Sequence, residues 1–271
     1  MNLTLIPSPF ALDQFRYSMG LAPETLLASG LKATLESDGH TVTVNERSTE
    51  LGPGTVLDRI GQHLAELAEQ VAAAHRNQSL PVILGGDCLV AIGVTAGLRR
   101  ALKSDFGIAW FDAHGDFNTP DTTLSGYLGG MPLACACGRG LDLLRTAVQL
   151  DQPVNEANVV MVGIRDLDPP EKVLIDSTPI RVYSPADTPQ FNADVRPTYL
   201  HYDIDSMDPS LAPGVNFLTP NGLSMETALQ AARKVQPHLA AFALTAVDPS
   251  RDREGRTVKT AMELMRGILK S

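Results

Sequence analysis

Six short runs rich in Val, Ile and aromatic residues recur at 80–87, 106–114, 158–166, 180–184, 198–205 and 240–248, and they read as strands. Stretches with helical spacing of apolar residues lie at 55–77, 89–103, 130–150, 185–195, 224–236 and 257–270. Alternation of this kind predicts a mainly parallel sheet buried on both faces, an α/β/α three-layer fold. No internal repeat or low-complexity linker divides the chain, so 1–271 is read as a single domain.

In an open parallel sheet, ligands bind beyond the carboxyl ends of the strands. The residues where each apolar run stops are therefore the informative ones. LPVIL ends in Gly85, Gly86, Asp87 and Cys88; IAWF ends in Asp112, Ala113, His114, Gly115 and Asp116; TYLHY ends in Asp203, Ile204 and Asp205, with Asp208 shortly after. Asp112, His114 and Asp116 are spaced by two, as are Asp203 and Asp205, so in extended backbone each set points to one side. A lone Asp after a strand is usually a turn or cap residue. Four carboxylates and an imidazole gathered together are different, because they could not stay ionised without cations among them. Oxygen-rich ligands with a minority of imidazole favour Mn²⁺, and carboxylates shared between two ions suit a paired site that makes hydroxide from water.

Charge narrows the partners. The net charge of −9 and the scattered Lys and Arg argue against nucleic acid and anionic membranes. The start, MNLTLIPSPF, has no basic segment and its apolar stretch is broken by prolines, which predicts neither signal peptide nor spanning helix and implies a cytoplasmic protein. Three cysteines without C-x-x-C spacing predict no disulfide framework or zinc ribbon.

DAHGDFNTP, followed by LSGYLGGMPLA, and HYDIDSMDP resemble the two signature blocks of the ureohydrolase (arginase and agmatinase) family, and GGDC stands where that family shows GGDH. The likeness runs from about residue 80 to 257. It implies a three-layer domain with an eight-stranded parallel sheet and two Mn²⁺ ions. It also implies that Asp112 and Asp203 bridge the ions, that Cys88 and Asp116 complete one site, and that His114 and Asp205 complete the other. A bridging hydroxide, held by Asp116, then attacks a guanidinium carbon. Family members are commonly trimers or hexamers, which leaves a homo-oligomer open.

The end of the site that receives an amino-acid head resembles the arginases. Asn118, Thr123 and Ser125 fall at positions that contact the substrate α-carboxylate, and Arg165-Asp166-Leu167-Asp168-Pro169-Pro170-Glu171 matches the loop that receives the α-ammonium. Asp168 is assigned to that ammonium, with Glu171 assisting; a polar turn opening a helix is the plainer reading of the same residues.

The guanidinium end departs from the family at three places. Cys88 replaces a histidine ligand, and a thiolate suits Zn²⁺ or Cu⁺ better than Mn²⁺. Gly129 stands where arginases carry the histidine that relays a proton to the leaving amine, with Tyr127 two residues before it. Ala246 stands where a glutamate pairs with the guanidinium. A small-molecule guanidino amino acid whose guanidine is less basic than that of arginine is therefore expected. Nω-hydroxy-L-arginine fits, giving ornithine and hydroxyurea.

Weak hydrolysis of ordinary L-arginine is the alternative. A catalytically silent ligand-binding relative and a hydrolase of formimino or acylated amines are the other classes. His201 is a candidate partner of the metal ligands or proton carrier, against a buried hydrogen-bonded histidine, and Glu254 is a more remote candidate for the pocket. His40, His63, His75 and His238 are expected at the surface.

Overall fold

A computed structural model of the protein describes residues 1–46, 51–102, 104–193 and 196–270. Among these residues ten strands are formed: β1 (Asn2–Ser8), β2 (Phe10–Ala11), β3 (Gln14–Phe15), β4 (Thr41–Val44), β5 (Leu80–Gly85), β6 (Gly107–Phe111), β7 (Val159–Val162), β8 (Arg181–Tyr183), β9 (Thr198–Asp203) and β10 (Leu239–Thr245). β2 and β3 make a small hairpin. The other eight form one sheet in the order β4-β1-β5-β10-β9-β6-β7-β8, every neighbouring pair parallel.

Nine α-helices complete the described residues: α1 (Ala22–Ala28), α2 (Leu31–Ser37), α3 (Val56–Arg76), α4 (Val90–Ala101), α5 (Pro132–Ala136), α6 (Asp142–Ala147), α7 (Pro169–Asp176), α8 (Met225–Val235) and α9 (Arg256–Leu269). Strand alternation sorts the sheet's side chains into two cores. Ile83, Ile108, Trp110, Tyr199 and Ala243 pack with α3 to α6, and Val82, Leu84, Phe111, Tyr202 and Leu244 pack with α1, α2, α8 and α9. This is the expected three-layer α/β/α arrangement. α3 begins on a capping box in which Thr55 and Asp58 satisfy each other's backbone amides, so the long helix starts where its apolar stripe begins. None of the described helices is long and apolar enough to cross a membrane.

The structure corrects several boundaries. In the runs 106–114, 158–166 and 240–248 the continuous strands end at Phe111, Val162 and Thr245; the residues after them build loops, with one further parallel bridge between His114 and Asp166. The stretch 130–150 divides into α5 and α6, because Gly138 and Gly140 adopt positive φ between them. Within 185–195 only the 3₁₀ turn Thr188–Gln190 is formed, and residues 194 and 195 lie outside the described residues. β1 and β4 carry no aromatic residue, and β4 is only four residues long. β4 exposes three of its four residues, as an edge strand does.

His63 is not at the surface. It lies on the inner stripe of α3 with Ile60, Leu64 and Leu67, stacks on Phe10 at 4.4 Å, and places its Nε2 2.9 Å from the Leu12 carbonyl. His40 is also buried, 3.3 Å from the terminal amine. His75 is half-buried, its Nε2 2.7 Å from the Ala240 carbonyl.

β5 and β6 follow each other in the chain, yet β10 and β9 lie between them in the sheet. The winding reverses there, and such a reversal opens a crevice at the carboxyl ends of the strands.

Candidate metal centre

Register brings the acidic segments together. Trp110 of β6 sits opposite His201 of β9, so two residues further on Asp112 and Asp203 leave the sheet side by side. Thr245 of β10 is opposite Asp203. From β5, Gly86 carries the chain so close to the hairpin that a Cβ there would lie 2.0 Å from the Phe10 carbonyl oxygen. Only glycine allows that approach, and it delivers Cys88, whose thiol donates to Asp203 Oδ2 at 3.0 Å.

The two acidic segments repeat one local device. Asp112 Oδ1 accepts the His114 amide at 2.7 Å, and Asp203 Oδ1 accepts the Asp205 amide at 2.7 Å, so each leading Asp fixes the residue two positions on. Asp205 Oδ1 accepts the Ala113 amide at 3.1 Å and stitches one segment to the other. His114 Nδ1 then lies 3.1 Å from Asp205 Oδ2 and 3.3 Å from Asp112 Oδ1. Asp116 takes a left-handed backbone, φ 47°, held because its carbonyl accepts the Leu133 and Ala134 amides at the start of α5. The Trp110 indole donates to Asp112 Oδ2 at 3.1 Å.

Arg165, which the sequence marks only as the first residue of the loop to Glu171, locks this geometry. Its guanidinium donates to the carbonyls of Thr219 (2.7 Å), Asp205 (2.8 Å), Pro220 (3.0 Å), Gly163 (3.1 Å), Ser206 (3.2 Å) and Met207 (3.4 Å). One cation thus pins the loop after β9 to the loop after β7. Arg165→Ala is expected to cost about 3 kcal/mol, the order of a few charge-assisted hydrogen bonds with partial replacement by water. A denaturant midpoint unchanged from wild type would refute that role.

The electrostatics show what the cluster needs. Burial first, then Asp205, pushes the Asp112 carboxyl up to about 7. Burial and neighbouring carboxylates likewise raise Asp116 and Asp203 well above the usual carboxylate range. Burial opposes charge on His114, but the hydrogen bonds it donates to Asp112 and Asp205 push its pKa up to about 12. The same partnership with His114 outweighs burial at Asp205 and holds that carboxyl low. Without cations, then, burial and crowding disfavour charge on Asp112, Asp116 and Asp203, while His114 and Asp205 hold each other charged. Divalent cations are the natural compensation for that crowding, and the donor set fits them.

Among the described residues two groups have ligand atoms within 4.8 Å of one another: Asp112, His114 and Asp205, and Cys88, Asp112 and His201. They share Asp112, and together they form a binuclear metal-binding site.

The centre floors a cavity of about 380 Å³. Cys88, Asp112, His114, Asp116, Asp203 and Asp205 all line it, and so do Asn118, Thr123, Ser125, Asp168 and Glu171. Asp168 precedes α7 but its side chain does not cap the helix; its Oδ2 instead accepts Asn118 Nδ2 at 3.4 Å. Glu171 is buried and accepts the Phe117 amide at 2.8 Å, which braces the segment carrying Asp116. Burial, its largest influence, raises the Glu171 carboxyl.

Ala246 lines the cavity with φ 64° and presents only a methyl group. Tyr127 folds over Gly129. A Cβ on Gly129 would meet the Tyr127 Cε1, Cζ and hydroxyl at 2.4, 2.6 and 2.7 Å, so the phenol fills the space of the missing side chain. Glu254 is exposed, pairs with Arg256 and is not among the lining residues. His201 is fully buried behind the centre. Asn216 and Phe217 also line the cavity, Phe217 edge-on to His114 at 5.9 Å. They lie in a loop without periodicity, so no sequence signal marked them.

The sequence profile described as "Arginase family" matches residues 1–270. An arginase of Staphylococcus aureus is 30% identical to this chain, covering 97% of it and 95% of the relative. One from Brevibacillus brevis is 28% identical over 98% of this chain and 97% of its own. The crystal structure of the Bacillus subtilis arginase superposes with a TM-score of 0.88 at 28% identity, covering 100% of this chain and 99% of that one.

Proposed function

The chain belongs to the arginase family, and from that footing we propose that it hydrolyses the guanidine group of an arginine-like α-amino acid, using two divalent cations, Mn²⁺ in the first instance. The observation that carries this reading is the joining of two halves in one cavity: the acidic centre on the floor, and Asn118, Thr123, Ser125 and Asp168 around it. When bound, the cation pair supplies hydroxide from water near neutral pH.

The protein's own groups do the rest. Asp116, buried at the floor, accepts a hydrogen bond from the attacking water and turns a lone pair toward the guanidine carbon. Neutral donors on Asn118, Thr123 and Ser125 receive the α-carboxylate. Asp168, unspent on its helix, receives the α-ammonium, and Glu171 supports it from behind. The Tyr127 phenol lines the cavity beside Gly129, where its hydroxyl can give a proton to the departing amine.

L-Arginine is the substrate that the arginase relatives favour. A second reading, Nω-hydroxy-L-arginine, rests on Ala246, because no carboxylate stands at that position to face a cationic guanidinium. An unpartnered buried charge costs on the order of 3 kcal/mol, and an electronegative substituent makes the guanidine less basic.

A product assay on L-arginine, Nω-hydroxy-L-arginine, agmatine and guanidinobutyrate separates these readings. Ornithine from one or both of the first two, and none from the others, is expected. Ammonia or a carboxylate as the product would point to another hydrolase class. Ala246→Glu is expected to raise kcat/KM for L-arginine at least about tenfold relative to Nω-hydroxy-L-arginine, since the backbone there already holds a Cβ at positive φ. An unchanged ratio would remove the second reading's basis.

A further inference from the structure

We infer that one of the two ion positions is a thiolate–imidazole–carboxylate site made by Cys88 Sγ, His201 Nε2 and Asp112, and that it takes a borderline-soft divalent ion, Zn²⁺ or Co²⁺, in preference to Mn²⁺. This deepens the reading of a two-cation centre and rests on it. The two ligand groups that share Asp112 are chemically unequal. Asp112, His114 and Asp205 offer mostly hard oxygen, whereas Cys88, Asp112 and His201 offer sulfur, nitrogen and oxygen, a set suited to zinc.

His201 is built as a ligand and not only as core filling. Its Nδ1 lies 2.8 Å from the Tyr199 hydroxyl; in the tautomer that donates Nδ1–H to that oxygen, the Nε2 lone pair is open to a metal. Nε2 faces the other way, 3.4 Å from Thr245 Oγ1, which is itself 3.4 Å from Cys88 Sγ. An imidazole whose outer nitrogen is tied to a hydrogen-bond partner is the usual arrangement of a metal-bound histidine.

Trp110 fixes two of the three ligands at once. Its ring stacks on His201 at 3.6 Å with planes 4° apart, and its Nε1–H holds Asp112 Oδ2 at 3.1 Å. Replacing the family's histidine by Cys88 thus does not leave this position without an imidazole, because β9 supplies one. On metal binding the Cys88 thiol, which donates to Asp203 in the free protein, loses its proton to solvent and no redox step is involved.

The test is spectroscopic and uses the full chain. Metal-free protein is titrated with Co²⁺ and the thiolate-to-cobalt charge-transfer absorption is followed, and X-ray absorption is recorded on protein given one equivalent of Zn²⁺. One sulfur at about 2.3 Å with nitrogen and oxygen neighbours is expected, together with a cobalt band that Cys88→Ser abolishes and His114→Asn retains. His201→Gln should keep the band but weaken Zn²⁺ at least tenfold in a chelator competition.

A first equivalent without sulfur in its shell, or a His201→Gln protein with wild-type Zn²⁺ affinity, overturns the assignment. Should a variant fail to fold, the wild-type zinc spectrum decides by itself. Ornithine release plays no part in these readouts, so a sulfur-free spectrum would leave guanidine hydrolysis standing, and an inactive protein with a sulfur-bound zinc would leave this site standing.

Discussion

Asp203→Asn is expected to lower guanidine hydrolysis at least about a thousandfold while leaving the metal-free protein as stable as wild type or more so. The two halves of that expectation have one cause. Asp203 touches both segments of the centre: its Oδ1 accepts the Asp205 amide and its Oδ2 accepts the Cys88 thiol. Asparagine keeps the first bond, so the turn after β9 survives. It removes a buried group whose charge is disfavoured first by burial and then by Asp205 and Asp112, so the metal-free fold is relieved of strain. The cost falls on cation binding, where several kcal/mol of stabilisation of the reacting water disappear at a factor of ten per 1.36 kcal/mol. Thermal unfolding in chelator, beside an ornithine assay with added Mn²⁺, checks both. A variant of near wild-type activity would show that Asp203 is not part of the reacting centre.

Tyr127→Phe is the second large effect, and it concerns the proton. The phenol occupies the space above Gly129, and no other side chain can enter there while it stays. If its hydroxyl supplies the leaving amine, its removal should lower kcat about 100-fold with KM little changed, the lower end of the range for a positioned acid. Stability should hardly move, since the ring and its contact with Phe217 at 5.7 Å remain.

Gly129→Ala is the steric counterpart. Its Cβ would collide with the ring, so a loss of about 2 kcal/mol is expected, and most of that loss should vanish when Tyr127 is truncated to alanine. Full activity in Tyr127→Phe would assign the proton to water or to Asp116 instead.

The layers of the fold and the floor of the site were legible in the sequence for the same reason. A parallel strand covered on both faces must be apolar along its length, so LPVILG, GIAWF and TYLHYD mark themselves, and the first polar residues after them mark the crevice. Period-two spacing put Asp112 with His114 and Asp203 with Asp205, and the structure gathers all four.

What remained hidden depends on contacts between distant segments. His201 could be marked as a candidate partner of the centre, but Trp110 looks like a core residue, and only the register of β6 against β9 stacks one on the other. Arg165 is one charge in a polar loop until the carbonyls after β9 close around it. The strands β1 and β4 escaped because β1 is interrupted by threonine and proline and the edge strand β4 is only four residues long, and pairing with a neighbour, not intrinsic pattern, makes them strands.

The most direct test of the central claim is ornithine release from L-arginine and Nω-hydroxy-L-arginine, measured against equivalents of divalent cation bound per chain. We predict no product from metal-free protein, activity that rises to a plateau as the second equivalent binds, and its loss on chelation. Turnover by metal-free protein, or none from either substrate with two cations bound, would contradict it.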